Sequence, residues 1–306
     1  MVTDGPIGSG SPRAPGRPLP LLVLGALIIS FSPVFVKSAA LDGLGPTSIA
    51  FWRLALGGAP LVVLAAVKRT PLRISRRVLG MAILAGAVFT ADLYLWHRSI
   101  HLIGAGLATI LGNTQVFNTA ILAWLLFRER PAARFYPAAI LGLAGVSLLV
   151  GVGGGVAMVG DHLAGVLFGL GTGVAYACYL VTTRSMAQRT SRPPLLTIVA
   201  WVSIMGAVCS LVVCGFEDDP FLPTSGTTWA NLVGLGVLVQ AAGWWAITAA
   251  LPRVKGSTAG LVLLLQPVLA TVWGVVLFGE TLAVMQLAGA GLTIFAIYLG
   301  TGVGNR

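Results

Sequence analysis

Apolar runs of about 20 residues recur along this chain, separated by short polar gaps. Ten can be marked: 19–38, 46–67, 78–98, 103–127, 134–153, 163–184, 194–214, 229–250, 256–278 and 283–302. A helix rises 1.5 Å per residue, so each run matches ~30 Å of hydrocarbon. The pattern predicts an all-α polytopic membrane protein with ten transmembrane helices. No gap is long enough for a soluble domain. Placing the N-terminus inside puts sixteen of the 19 Lys and Arg on the cytoplasmic side, in connectors such as Lys68–Arg77, Arg128–Arg134 and Arg253–Lys255. Asp42, Asp161, Glu217, Asp218, Asp219 and Glu280 fall on the opposite side. The expectation is a multi-pass protein of the inner membrane with both termini cytoplasmic.

Composition agrees: 57% of residues are hydrophobic and 9% charged, far from soluble globular usage. A net charge of +10 would suggest nucleic acid as partner for a soluble chain. Here the positive charge is sorted into alternate gaps, so the bilayer is the expected partner and nucleic acid is not. Cys178, Cys209 and Cys214 sit inside apolar runs and form no CxxC pair, which makes them packing residues. Residues 1–18, rich in Pro, Gly and Ser, read as a disordered cytoplasmic tail, and 303–306 as a cytoplasmic end. The run Leu19–Val36 is long for a signal peptide and reads as a retained first helix.

A shift of 151 residues lays the fourth run over the ninth. LLFRER (125–130) then meets VLFGET (276–281), pairing Phe127 with Phe278 and Glu129 with Glu280, while Gln115 meets Gln266 and Ala108 meets Ala259. Five crossings per copy is an odd number, so the second copy enters the membrane upside down. This predicts two inverted five-helix repeats, 19–153 and 154–302. Such repeats supply two near-equivalent packings of one bundle, with a substrate site near the midplane between the halves.

With these features in hand, the chain resembles the EamA-type members of the drug/metabolite transporter superfamily. The marks are the five-plus-five repeat, the F-x-E endings at Phe127–Glu129 and Phe278–Glu280, FWRLAL (51–56), and the stretch DLYLWHRSI…AGLATILGNTQVF…AWLLFRER within 92–130. The resemblance implies a basket of ten helices around a central cavity walled chiefly by runs 1, 3, 4, 6, 8 and 9. It also implies export of small metabolites or amino acids. Members often carry Pro within both the fourth and ninth runs. Gln266-Pro267 keeps it, whereas Gln115-Val116 does not, so a kink in the fourth run does not follow from the resemblance.

Ionisable groups in hydrocarbon are costly and need a reason. Asp92 is the deepest acid, and Trp96 and Ser99 share its helix face at i+4 and i+7. That face would present a carboxylate and a ring to a cationic or zwitterionic ligand, or the carboxylate would tie two helices together. His97 titrates near neutrality, which makes Asp92 and His97 the proton-coupling candidates. The two stand about 140° apart around the helix, so they form no stacked dyad. His97 and His101 have i, i+4 spacing but no third ligand, so no metal or other cofactor is expected. Thr109, Asn113, Gln115 and Asn118 make a polar stripe on the fourth run, and Gln266 repeats Gln115 on the ninth. Amides both donate and accept, which suits a zwitterion or a sugar. The candidate substrate-binding set is Asp92, Trp96, His97, Asn113, Gln115, Tyr176, Trp244 and Gln266. Arg53 reads as a structural anchor or an anion contact toward the outer end of its run. Glu129 and Glu280 read as gate caps or partners of loop arginines. The chain has no paired deep Asp, Ser–His arrangement or HExxH cluster, so it is not expected to be an enzyme. The reading is a secondary transporter working by alternating access on an amino acid or similar small molecule. The alternative is a passive facilitator of the same substrates.

Overall fold

The computed structural model describes residues 18–40, 43–150, 162–188, 193–279 and 281–302. The tail, the C-terminal end, the 153/154 repeat boundary, Asp42, Asp161 and Glu280 lie outside them. The described residues form α1 (Pro18–Ile29), α2 (Ser32–Ala40), α3 (Pro46–Val67), α4 (Arg76–Asn113), α5 (Gln115–Phe127), α6 (Phe135–Val150), α7 (His162–Ala187) and α8 (Leu195–Cys214). They continue with α9 (Gly226–Gly234), a π-helical stretch Leu235–Gly243, α10 (Trp244–Ala250), a 3-10 turn Leu251–Arg253, α11 (Gly256–Leu263), α12 (Leu265–Phe278) and α13 (Val284–Thr301). Among the described residues nine helical stretches are long and apolar enough to cross a membrane, and Phe135–Val150 is a shorter tenth.

Three spans are broken, each for an identifiable reason. In the first, the Pro33 ring cannot coexist with a helical carbonyl at Ile29, where α1 stops; Ser30 Oγ then donates to Leu27 O at 2.6 Å. In the ninth, Pro267 acts in the same way on Leu263, the last residue of α11. The fourth span breaks as well, between α4 and α5, although its proline is missing. Thr114 takes φ −59°, ψ −11°, close to the φ −63°, ψ −12° of Leu264. Its hydroxyl bonds back to Leu111 O in place of a proline.

The third and fourth spans are joined without a non-helical residue, since every residue of α4 from Arg76 to Asn113 keeps a helical assignment. They are nonetheless two crossings. Gly169 of α7 packs against both Ser99 and Leu111, which on a straight helix would stand about 18 Å apart. The chain therefore doubles back between them.

Contacts between the halves come in exchangeable pairs. The α1–α10 contact answers α7–α4, α3 on the π-helical stretch answers α8–α4, and α1–α12 answers α7–α5. The α3–α8, α6–α13 and α5–α11 contacts lie on the pseudo-twofold axis. Two crossings depend on glycine: a Cβ on Gly86 would lie 2.5 Å from Gly206 N, and one on Gly57 would lie 2.8 Å from Gly236 O. The symmetry extends to helix ends. Arg128 (φ 59°) and Gly279 (φ 67°) stand one repeat apart, and both are left-handed caps.

Candidate functional site

A cavity of about 500 Å³ opens between the halves. Its walls come from all three broken spans: Ser30 and Pro33 of the first, Thr109 and Asn113 of the fourth, Gln266 and Pro267 of the ninth. It extends to Thr281 and Leu282, at the end of the bundle that carries Glu217, Asp218 and Asp219, and no residue of the basic connectors lines it. Phe89, Tyr176 and Trp244 supply an apolar part of the wall, and Tyr179 packs behind them. Trp244 stands edge-on to Tyr179 (4.6 Å) and Phe89 (5.5 Å), and Phe89 stacks on Tyr179 at 4.6 Å. Tyr176 meets Trp244 at 6.0 Å and accepts a hydrogen bond from Gln266 Nε2 at 3.1 Å.

Two opposite charges face this cavity. Asp92 is buried, and among the described residues no donor reaches hydrogen-bond distance of its carboxylate. Arg53 is also buried and is the cation that acts on Asp92 through space, but the two form no ion pair. Arg53 is committed elsewhere: its Nε donates to Gln240 Oε1 at 3.0 Å, and its guanidinium lies 5.3 Å from the Phe89 ring centre. Gln240 is fully buried in the π-helical stretch and donates its own amide to Ser203 at 3.1 Å. π-helical turns occur often at functional sites, and this one carries the amide that holds the arginine.

Of the residues singled out by sequence, Asp92, Trp96, Asn113, Tyr176, Trp244 and Gln266 line the cavity together. His97 and Gln115 do not. The 140° between Asp92 and His97 turns the ring off the cavity when the carboxylate faces it. Gln115 is buried between the halves, where its Nε2 donates to Gly260 O at 3.1 Å. That carbonyl is freed by the span-nine break, because Leu264 N bonds to Leu261 O instead. Gln115 thus repairs the break that Pro267 makes in the opposite half. Arg53, read as a structural anchor or an anion contact toward the outer end of its run, lies in the cavity wall. A cation seven residues inside an apolar run was the available signal. Ser32, Thr172, Thr271 and Gln286 also line the cavity and carried no signal beyond being polar.

The basic end is closed. Glu129, in the α5–α6 connector, accepts from both terminal nitrogens of Arg184 of α7 and from Gly256 N at 3.0 Å, where α11 begins. Arg184 also lies 4.5 Å from the Phe127 ring centre. Burial by itself would raise the Glu129 pKa. Hydrogen bonds from Arg184 and Gly256 outweigh it and hold the carboxyl below its ordinary value. At the other end the Arg98–Glu217 pair spans 3.5 Å with Arg98 half exposed, a geometry that contributes little.

The model of the EamA-like transporter family matches the chain twice, over residues 17–151 and 163–301. A probable amino-acid metabolite efflux pump of Salmonella typhimurium is 28% identical over 64% of this chain and 67% of its own. A protein of the same description in Escherichia coli is 24% identical over 91% and 93%. An uncharacterized transporter of Archaeoglobus fulgidus is 26% identical over 91% and 94%. One solved crystal structure matches the fold with a TM-score of 0.81 at 20% identity, over 94% of this chain and 98% of that one.

Proposed function

We propose, because the chain belongs to the EamA-like transporter family, that this multi-pass membrane transporter exports an amino acid or a similar zwitterion across the inner membrane by alternating access. The carrying observation is a buried guanidinium and a buried carboxylate facing one cavity without pairing to each other. Asp92 would take the substrate ammonium, and Arg53, with Asn113 and Gln266 of the same wall, the carboxylate. Trp96, Tyr176 and Trp244 would enclose an apolar side chain. The repeats 19–153 and 154–302 would rock about the glycine crossings, with both termini cytoplasmic. The cavity then faces outward and the Glu129–Arg184 lock is the closed inner gate. Asp92 is the proton-coupling candidate on the cavity wall, with His97 behind it. The descriptions of the Salmonella and Escherichia relatives support an amino-acid cargo.

Thermal shift of purified protein against amino acids, their amides and their decarboxylated amines tests the pairing. Full amino acids should stabilise best. Asp92→Asn should weaken them by about 10- to 100-fold, the size of one lost charge-assisted hydrogen bond. Amides binding as tightly as free acids would refute the Arg53 role. In proteoliposomes, flux that ignores an imposed pH gradient would identify a passive facilitator.

A further inference from the structure

A second cavity, of about 460 Å³, lies on the outside of the bundle where α5 gives way to α6, apart from the central one. Phe117, Ala120, Ile121 and Trp124 recur at helical spacing along one face of α5. Ala120 and Phe135, both 3% exposed, make its floor, while Ile121, Trp124 and Tyr136 stand exposed along its rim. At the basic end of this trench, Arg130 and Pro131 complete the lining. Arg130 is exposed and, among the described residues, has no ion pair or hydrogen-bonded partner. The acid beside it, Glu129, is turned away to Arg184 and Gly256. The lining contains no carboxylate.

We propose that this groove is a binding site for one anionic phospholipid, with an acyl chain in the trench and the phosphate on Arg130. The apolar floor matches a hydrocarbon chain, and the indole and phenol on the rim suit the headgroup level of a bilayer. Arg128 and Arg134 flank Arg130 in the same connector and add to the positive field. Basic pockets between membrane helices select anionic headgroups in this way. A choline headgroup would bring its own cation against Arg130, with no carboxylate in the wall to offset it.

Native mass spectrometry of the purified full chain, titrated with phosphatidylglycerol and with phosphatidylcholine, reads the preference directly. The comparison needs wild type, Arg130→Gln and Arg73→Gln, the last altering an exposed arginine of a different basic connector. Wild type should bind one phosphatidylglycerol in preference to phosphatidylcholine. Arg130→Gln should lower that preference about five-fold, the share of one basic side chain, and Arg73→Gln should leave it unchanged. Equal binding of both lipids by wild type overturns the proposal. So does an Arg130→Gln protein with wild-type preference, or an Arg73→Gln protein that loses as much.

Discussion

Replacing Glu129 with Gln keeps the shape of the basic-end lock and removes its charge. The Arg184 side chain is 5% exposed, so an unpaired guanidinium there has little water to turn to. Removing one partner of a buried pair costs about 3–5 kcal/mol, and the glutamine oxygen would recover part of it, leaving about 2–3 kcal/mol. That is roughly a 30- to 150-fold shift away from the closed basic end. Arg184→Met should be milder. It strands Glu129, whose side chain is 23% exposed and still receives Gly256 N–H, so about 1 kcal/mol is expected. The double variant should be no worse than Arg184→Met, because the stranded cation is gone. The assay is labelling of Ser257→Cys, a buried position next to Gly256, by a maleimide applied at the basic end, with Cys178, Cys209 and Cys214 changed to Ala. Melting temperatures of the same proteins report any global loss. Labelling of Arg184→Met as fast as Glu129→Gln, or both at the wild-type rate, would refute the argument from burial.

Three further outcomes follow from the same geometry. Glu129 has a lowered pKa in the folded protein, so its contribution is complete above the ordinary carboxylate value and is lost as pH falls through the lower folded one. The melting-temperature gap between wild type and Glu129→Gln should therefore stay constant from about pH 8 to about pH 5 and close only in stronger acid; a gap that closes near neutrality would contradict the ion pair. Gly86→Ala should cost about 1–3 kcal/mol by thermal melting, since its Cβ meets the Gly206 backbone, while Gly80→Ala, with open space around it, should not destabilise. Arg128→Gly should stabilise by about 1 kcal/mol in the same assay, because the cap is left-handed and its repeat mate Gly279 already carries glycine.

What could be read from sequence is what repeats, and what could not is where the halves part company. Apolar length and the sorting of charge suffice for ten helices, because hydrocarbon tolerates only satisfied backbone. The 151-residue register does not find the glycine crossings, because Gly57–Gly236 and Gly206–Gly86 are related by shifts of 149 and 150 residues. A pattern of residue types cannot say which of two equivalent side chains meets the other half and which meets the cavity. Gln115 and Gln266 are identical in type and register, yet one restores a broken span across the interface and the other reaches Tyr176 over the cavity. The fourth-span break had no proline to announce it, and nothing in LGVLVQAAG announces a π-helix. Sequence left Arg53 open between a structural anchor and an anion contact, because depth along one helix says nothing of what stands opposite. Its place is set by Gln240 on a wider turn of another span. The cavity charge follows the same logic. Asp92 has Gly243 as its repeat mate, and that glycine lets α1 approach at Ile28 and Ile29. One copy of the repeat uses the position for charge and the other for close packing. A transporter built from two like halves becomes selective only where they stop matching, so positions unlike their mates are where substrate contacts should be sought.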